Sequence, residues 1–247
     1  MPEGDAIHRA AARLRLLEGE VLSVETPHPR AAVLRLAERL DGMRLEQVEA
    51  VGKNLFLSFE DGTVLRSHLR MHGRWRVQPA GSRIVGKPWL ILRGSKWEAV
   101  QRNGPVLELG RAGPTGLGPD VMAEPAQIDA MVERLRSTDR SRELGDALLD
   151  QRLVAGIGNM WKAETLFHAS SSPWLRLGDV SDETLRAILA TAHRLMTERP
   201  RERFVYRRAG RPCRRCGATI RSRRQGEHAR AAYWCPRCQG GTEAAEA

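Results

Sequence analysis

Residues 149–159, LDQRLVAGIGN, interrupt a run from 143 to 169 whose composition is otherwise helical. Gly156 and Gly158 bracket a single isoleucine, so the run reads as two helices broken at 155–159. More helices surround it. Ile128, Met131, Val132 and Leu135 form one apolar stripe, and Leu185, Ile188, Leu189, Ala192 and Met196 form another, both at amphipathic-helix spacing. Upstream, residues 111–119 (RAGPTGLGP) read as a linker. From 21 to 121 the chain reads mainly as strands. Leu55, Leu57 and Phe59 alternate into Asp61-Gly62, a two-residue turn, and residues 63–69 return as the second strand. At the front, Ile7, Ala10, Ala11, Leu14 and Leu17 predict a helix over 5–18, stopped by Gly19. Residues 239–247 are small and polar and read as a disordered tail.

At 247 residues the chain can bury a sizeable core. It has no apolar stretch long enough to span a bilayer. Its start, with Glu3 and Asp5, lacks the basic-then-apolar layout of a secretory signal. These features predict a reducing cytoplasm, where four cysteines are poor disulfide candidates. The net charge of +10 is localised. Between Pro200 and Gly240 lie twelve arginines and two acids, Glu202 and Glu227, so this window carries the whole excess. Clustered arginine displaces counterions from phosphates, and the window reads as a footprint for a polyanion.

Inside the window sit Cys213-x2-Cys216 and Cys235-x2-Cys238, 18 residues apart. Two such thiolate pairs close a tetrahedral zinc shell with no open position, so one structural ion is expected. It would fold a small β-hairpin and fix the arginines around it.

Three separated segments converge. Met1-Pro2-Glu3-Gly4, the 149–159 run and the four-cysteine finger together resemble the formamidopyrimidine-DNA glycosylase and endonuclease VIII family, over nearly the whole chain and in the same order. The resemblance implies an α+β protein: an N-terminal β-sandwich flanked by helices, a helical domain with a helix–two-turn–helix motif, and a four-cysteine zinc β-hairpin finger. The expected domains are 1–121 (catalytic), 122–200 (DNA-binding helices) and 201–247 (finger and tail). It also implies a bacterial, nucleoid-associated monomer acting on damaged double-stranded DNA, with single-stranded or bubble DNA left open.

The implied chemistry is a DNA glycosylase joined to an apurinic/apyrimidinic (AP) lyase. Removal of Met1 exposes Pro2 as a secondary amine with a pKa near 8. Roughly a tenth of it is then unprotonated at neutral pH, far more than for lysine. It can attack C1′, expel the base and leave an iminium, and elimination cleaves the strand. By resemblance, Glu3 handles protons at the sugar, and Lys53 in Val51-Gly52-Lys53-Asn54 is the catalytic lysine. Asn159 and Arg230 hold phosphates around the lesion. Arg70, Met71 and His72 fill the gap left by a flipped nucleotide, with Met71 as the wedge.

The chain also departs from the family pattern. Asp5 and Ala6 replace the last two residues of Pro-Glu-x-Pro-Glu, so the second glutamate is missing. Gln101-Arg102-Asn103-Gly104 lacks the Arg-x-Phe of the 8-oxoguanine branch, and only about a dozen residues join the helix ending near Glu198 to Cys213. These departures point toward oxidised pyrimidines. The alternatives left open are a glycosylase directed at 8-oxoguanine and formamidopyrimidine, and a zinc protein that binds damage without chemistry.

Overall fold

A computed structural model describes residues 2–240. Met1, and with it the expected removal of that residue, lies outside the described residues, as does the tail beyond Gly240. The chain divides into two compact units, 1–115 and 116–247, with the boundary inside the Gly/Pro-rich stretch.

The first unit opens with helix α1 (Gly4–Leu14), followed by a 3₁₀ turn over Arg15–Leu17. Strand β1 (Ser23–Glu25) and two short helices, α2 (Pro29–Ala32) and α3 (Leu36–Leu40), come next. These helices stand where strands were expected. His28 explains the first: its Nδ1 accepts the N–H of Arg30, and Pro29 occupies the first helical turn, where its missing N–H costs nothing. Then follow β2 (Leu45–Val51), β3 (Asn54–Phe59), β4 (Val64–His68), β5 (Arg74–Pro79), β6 (Leu90–Arg93), β7 (Trp97–Arg102) and β8 (Val106–Gly110).

The strands form two antiparallel four-stranded sheets, ordered β1-β6-β7-β5 and β2-β3-β4-β8. Both contribute to one apolar core. Leu57, Phe59 and Leu65 from one sheet and Leu92 and Ala99 from the other pack there with Ile7, Ala11 and Leu14 of α1. The β3–β4 hairpin forms as expected, but its loop has three residues. Phe59 donates to the carbonyl of Thr63, Gly62 donates to Phe59, and Gly62 is left-handed (φ 78°). The Asp61 carboxylate takes the N–H and hydroxyl of Thr63, which favours this loop over the tighter turn.

The second unit contains α4 (Ile128–Arg136), α5 (Leu144–Ala147), α6 (Asn159–His168), α7 (Asp182–Glu198) and the hairpin β9 (Arg221–Gln225) and β10 (Arg230–Trp234). The apolar stripes of α4 and α7 are the buried faces, joined in a core by Leu144, Leu148, Ile157, Trp161 and Leu166. The expected helix from 143 onward is only four residues long and gives way to two turns. Gln151 closes them. Its amide donates to the carbonyls of Leu149 and Ile157 and accepts the N–H of Gly156. Arg142 bridges Asp146 and Asp150, and Arg152 pairs with Asp150. Hydrogen bonds from Arg152 hold the Asp150 carboxyl far below its ordinary range.

Helix α6 is buried from Trp161 to Phe167. Leu166 faces the helical core, while Ala163 and Phe167 face a second cluster with Val205, Ile220 and Cys235. One helix therefore walls two cores. Among the described residues, no helix is long and apolar enough to cross a membrane.

Gln151→Ala leaves three backbone groups of the two turns without their partner. The expected loss is about 2–3 kcal/mol, read as a lower urea midpoint with little change in m. An unchanged midpoint would refute the role assigned to this amide.

Candidate active site, nucleic-acid interface and metal centre

At the start of the first unit, Glu3 is extended (φ −112°, ψ −177°), and its carbonyl receives the N–H groups of Ala6 and Ile7. It is the residue from which α1 begins. Its side chain is buried, while Pro2 is half-buried. The helix places its positive end here, which suits a carboxylate. Ala6 offers no carboxylate, yet one stands a residue earlier: Asp5 is buried and pairs with Arg9 at 2.7 Å.

Lys53 lies in the turn between β2 and β3, where Val51 pairs with Asn54, and Asn54 in turn pairs with His68. Burial, then the charges of Arg70, Arg66 and Lys53, push the His68 imidazole below its ordinary pKa. Lys53 and Arg70 therefore share one neighbourhood. A neutral His68 accepts the Arg70 N–H at Nδ1 (3.1 Å). This bond helps shape a tight turn in which Gly73 donates to Leu69 and Arg70 is left-handed (φ 51°). Arg70, Met71 and His72 are all exposed. Met71, at 52% exposure, is therefore no core residue. Gln101 is the opposite case. It is fully buried, and Gly104 packs directly on its amide, so it cannot project into a partner.

In the second unit, Asn159 opens α6 and donates from Nδ2 to the carbonyl of Ala231 (2.9 Å). Arg230, exposed at the start of β10, is the neighbouring residue. The structure thus brings together two residues that lie 71 positions apart.

The cysteine sulfurs lie within 4.8 Å of one another. Cys213 and Cys238 are 3.8 Å apart, and Cys216 and Cys235 are 3.4 Å apart. A zinc–sulfur distance near 2.3 Å requires tetrahedral edges of about 3.8 Å, so the set fits one structural zinc. The N–H of Ala218 draws the Cys216 thiol down to about 7, whereas burial pushes Cys235 and Cys238 up. Gln239, expected to begin a disordered tail, is buried instead. It takes the Cys235 N–H at Oε1 and donates to Ser171 from Nε2.

Sequence reading also missed Glu164. Its buried carboxylate accepts three consecutive N–H groups, from Phe204, Val205 and Tyr206, at 2.8–3.1 Å. Phe204 stacks on Phe167, and Arg203 lies over Trp161 and donates to Met160. The segment between α7 and the finger is consequently fastened to α6.

These features define a chain with a sandwich unit led by Pro2 and Glu3 and a helical unit carrying a zinc hairpin. Family signatures match each part: the formamidopyrimidine-DNA glycosylase N-terminal domain over 1–92, its H2TH domain over 117–201, and the zinc finger found in FPG and IleRS over 210–240. The chain belongs to the formamidopyrimidine-DNA glycosylase and endonuclease VIII family. It is 38% identical to "Probable endonuclease 8 2" of Streptomyces coelicolor, across 98% of this chain and 95% of that one. It is 34% identical to "DNA-(apurinic or apyrimidinic site) lyase Nei2" of Mycolicibacterium smegmatis, across 97% and 99%. The fold is also that of Lactococcus lactis formamidopyrimidine-DNA glycosylase, solved bound to DNA containing an AP site. That match has a TM-score of 0.80 at 22% identity, covering 97% of this chain and all of that one.

Cys213→Ser should drop the zinc content well below one per chain and lower the melting temperature. Full occupancy with an unchanged transition would refute the structural role of the metal. His68 gives a pH test. The fold holds the imidazole neutral, so protonation favours the unfolded chain and releases the Arg70 N–H. Stability contributed by this bond is complete above the unfolded pKa near 6.5. It falls as pH drops from there through the lowered folded value. The Arg70 amide resonance should shift over that acid range and stop doing so in His68→Asn.

Proposed function

We propose that this chain is a bifunctional DNA glycosylase and AP lyase of base excision repair, acting through Pro2. The carrying observation is the Pro2-Glu3 pair at the head of α1, in a chain that matches its relatives from end to end. The Pro2 nitrogen forms a bond to C1′ as the bond from C1′ to the base breaks; the base departs with its electron pair and takes up a proton, and the Pro2 nitrogen sheds its own. Glu3 protonates O4′ as the sugar ring opens, leaving an iminium between Pro2 and C1′. The C2′ proton is then acidic, and its loss expels the 3′ phosphate. Elimination at the 5′ side follows, and water releases the sugar fragment. Lys53, beside Arg70 and His68, serves proton transfer to the departing base or contact with the adjacent phosphate.

Arg230 and Asn159 grip phosphates, while Met71 enters the gap opened by flipping. Exposure of the 70–72 turn supports this assignment. Substrate preference is for oxidised pyrimidines. Two features support it: Gln101 is buried where the purine branch carries a duplex-filling Arg-x-Phe, and the 203–206 segment is fastened to α6 rather than free to cover a large flipped base. The division of labour would follow 1–121 for chemistry, 122–200 for backbone grip and 201–247 for the finger with its tail. The setting would be a bacterial cytoplasm at the nucleoid, and the working form a monomer.

Borohydride trapping on duplexes with 5-hydroxyuracil, 8-oxoguanine or an abasic site tests the chemistry. A covalent adduct that vanishes in Pro2→Gly is expected. No adduct on any duplex, from protein shown to begin at Pro2, would refute the mechanism. Excision of 5-hydroxyuracil should outpace that of 8-oxoguanine, and the reverse order would place the chain with purine-directed enzymes.

A further inference from the structure

The hairpin of β9 and β10 is anchored at the end away from its metal. Gln225, the last residue of β9, is buried, although the four residues before it are exposed. Its Nε2 donates to the carbonyl of Pro173 (2.8 Å), and its Oε1 lies 3.4 Å from Nζ of Lys162, a buried lysine of α6. Donor and acceptor ends of one amide are thus both engaged inside the helical unit.

Two glycines let the tip seat here, one beside the Gln225 side chain and one beside Asp146. A Cβ at position 145, on α5, would stand 2.4 Å from Oε1 of Gln225. A Cβ at position 226 would stand 1.9 Å from a carboxylate oxygen of Asp146, and Gly226 is left-handed (φ 66°) besides. Either contact would force the tip away, so both glycines fit a plug that enters between α5, Pro173 and Lys162. At the zinc end, Gln239 donates to Ser171. Two glutamines therefore take carbonyls two residues apart on one short segment.

What the plug fixes follows from register. Gln225 pairs across the hairpin with Arg230. The next residue, Ala231, receives the Asn159 amide. Arg230 is therefore held by its cross-strand partner on one side and by the Ala231 bond on the other, while its own side chain stays exposed.

We propose that Gln225 is a positioning residue for Arg230: seated between Gly145, Pro173 and Lys162, it sets where the arginine presents its guanidinium to a DNA phosphate. The proposal rests on the reading of Arg230 as a phosphate grip. A long unbranched side chain with hydrogen-bonding capacity at both faces of its tip suits this slot. Methionine matches its length and offers neither bond.

The test is a double-mutant cycle on full-length, zinc-loaded protein, using a duplex with a tetrahydrofuran abasic analogue over a range of salt concentrations. Gln225→Met should weaken binding about tenfold, the size of one charge-assisted hydrogen bond. The slope of log affinity against log salt should become shallower by about one. Gly145→Ala should do the same with Gln225 intact, since it blocks the slot while adding a better helix former. Neither change should weaken Arg230→Ala further, and zinc content should stay at one per chain. KM should rise by a larger factor than kcat falls.

Losses that add in full to that of Arg230→Ala would overturn the positioning role. So would Gln225→Met binding like the unaltered protein while Arg230→Ala binds poorly. An Arg230→Ala protein that binds normally would instead refute the phosphate grip itself, and the proposal with it.

Discussion

A carboxylate surrounded by three amides governs the second unit. Glu164 is buried, and an ion in that position is costly unless its oxygens are satisfied. The consecutive N–H groups of Phe204, Val205 and Tyr206 satisfy them. The arrangement works in both directions. Three amides of an irregular segment, which have no sheet or helix to pair with, gain acceptors from a single side chain. The segment leading into Cys213 is thereby fixed on α6, and the finger starts from a defined place. Without that carboxylate, three backbone N–H groups would lose their partner together.

The second unit also meets an electrostatic difficulty. Twelve arginines within 40 residues repel one another and would favour an extended chain. The fold meets this with local partners. Arg203 lies over Trp161, Arg215 over Phe167 and Arg223 over Trp174, while Arg214 pairs with Glu202. Zinc ties one end of the hairpin and buried glutamines hold both. A basic surface kept in place can match the spacing of phosphates without first losing its own disorder.

Much of this was legible in the sequence, and the reasons differ by element. The stripes of α1, α4 and α7 each face one core, so periodicity finds them. Cysteine spacing finds the knuckle because two short turns admit few other geometries. Helix α6 defeats the same method. It is walled on two sides, so Lys162 and Glu164 occupy positions that periodicity assigns to solvent. Helices α2 and α3 were read as strand because the 29–40 stretch lacks a clean period, and the His28 cap is visible only in three dimensions. Gln225 gives no periodic signal in a basic hairpin, and Gln239 reads as the start of a tail. Both are buried by neighbours far away in sequence. Pro2, Glu3 and the 70–72 turn were found through resemblance rather than periodicity, and their surroundings became visible only with the fold.

The choice of arginine over lysine in the finger has a consequence for how the protein meets acid and alkali. Between Pro200 and Gly240 every basic side chain except His228 is a guanidinium, which keeps its proton throughout the range in which proteins survive. The attraction of these arginines to a phosphate backbone is then nearly constant from mildly acidic to mildly alkaline solution. The ring of His68, which the fold holds neutral, changes state within that range. The finger and the 70–72 turn therefore answer to separate titration ranges, and a pH titration of that turn reads out against a steady background of charge from the finger.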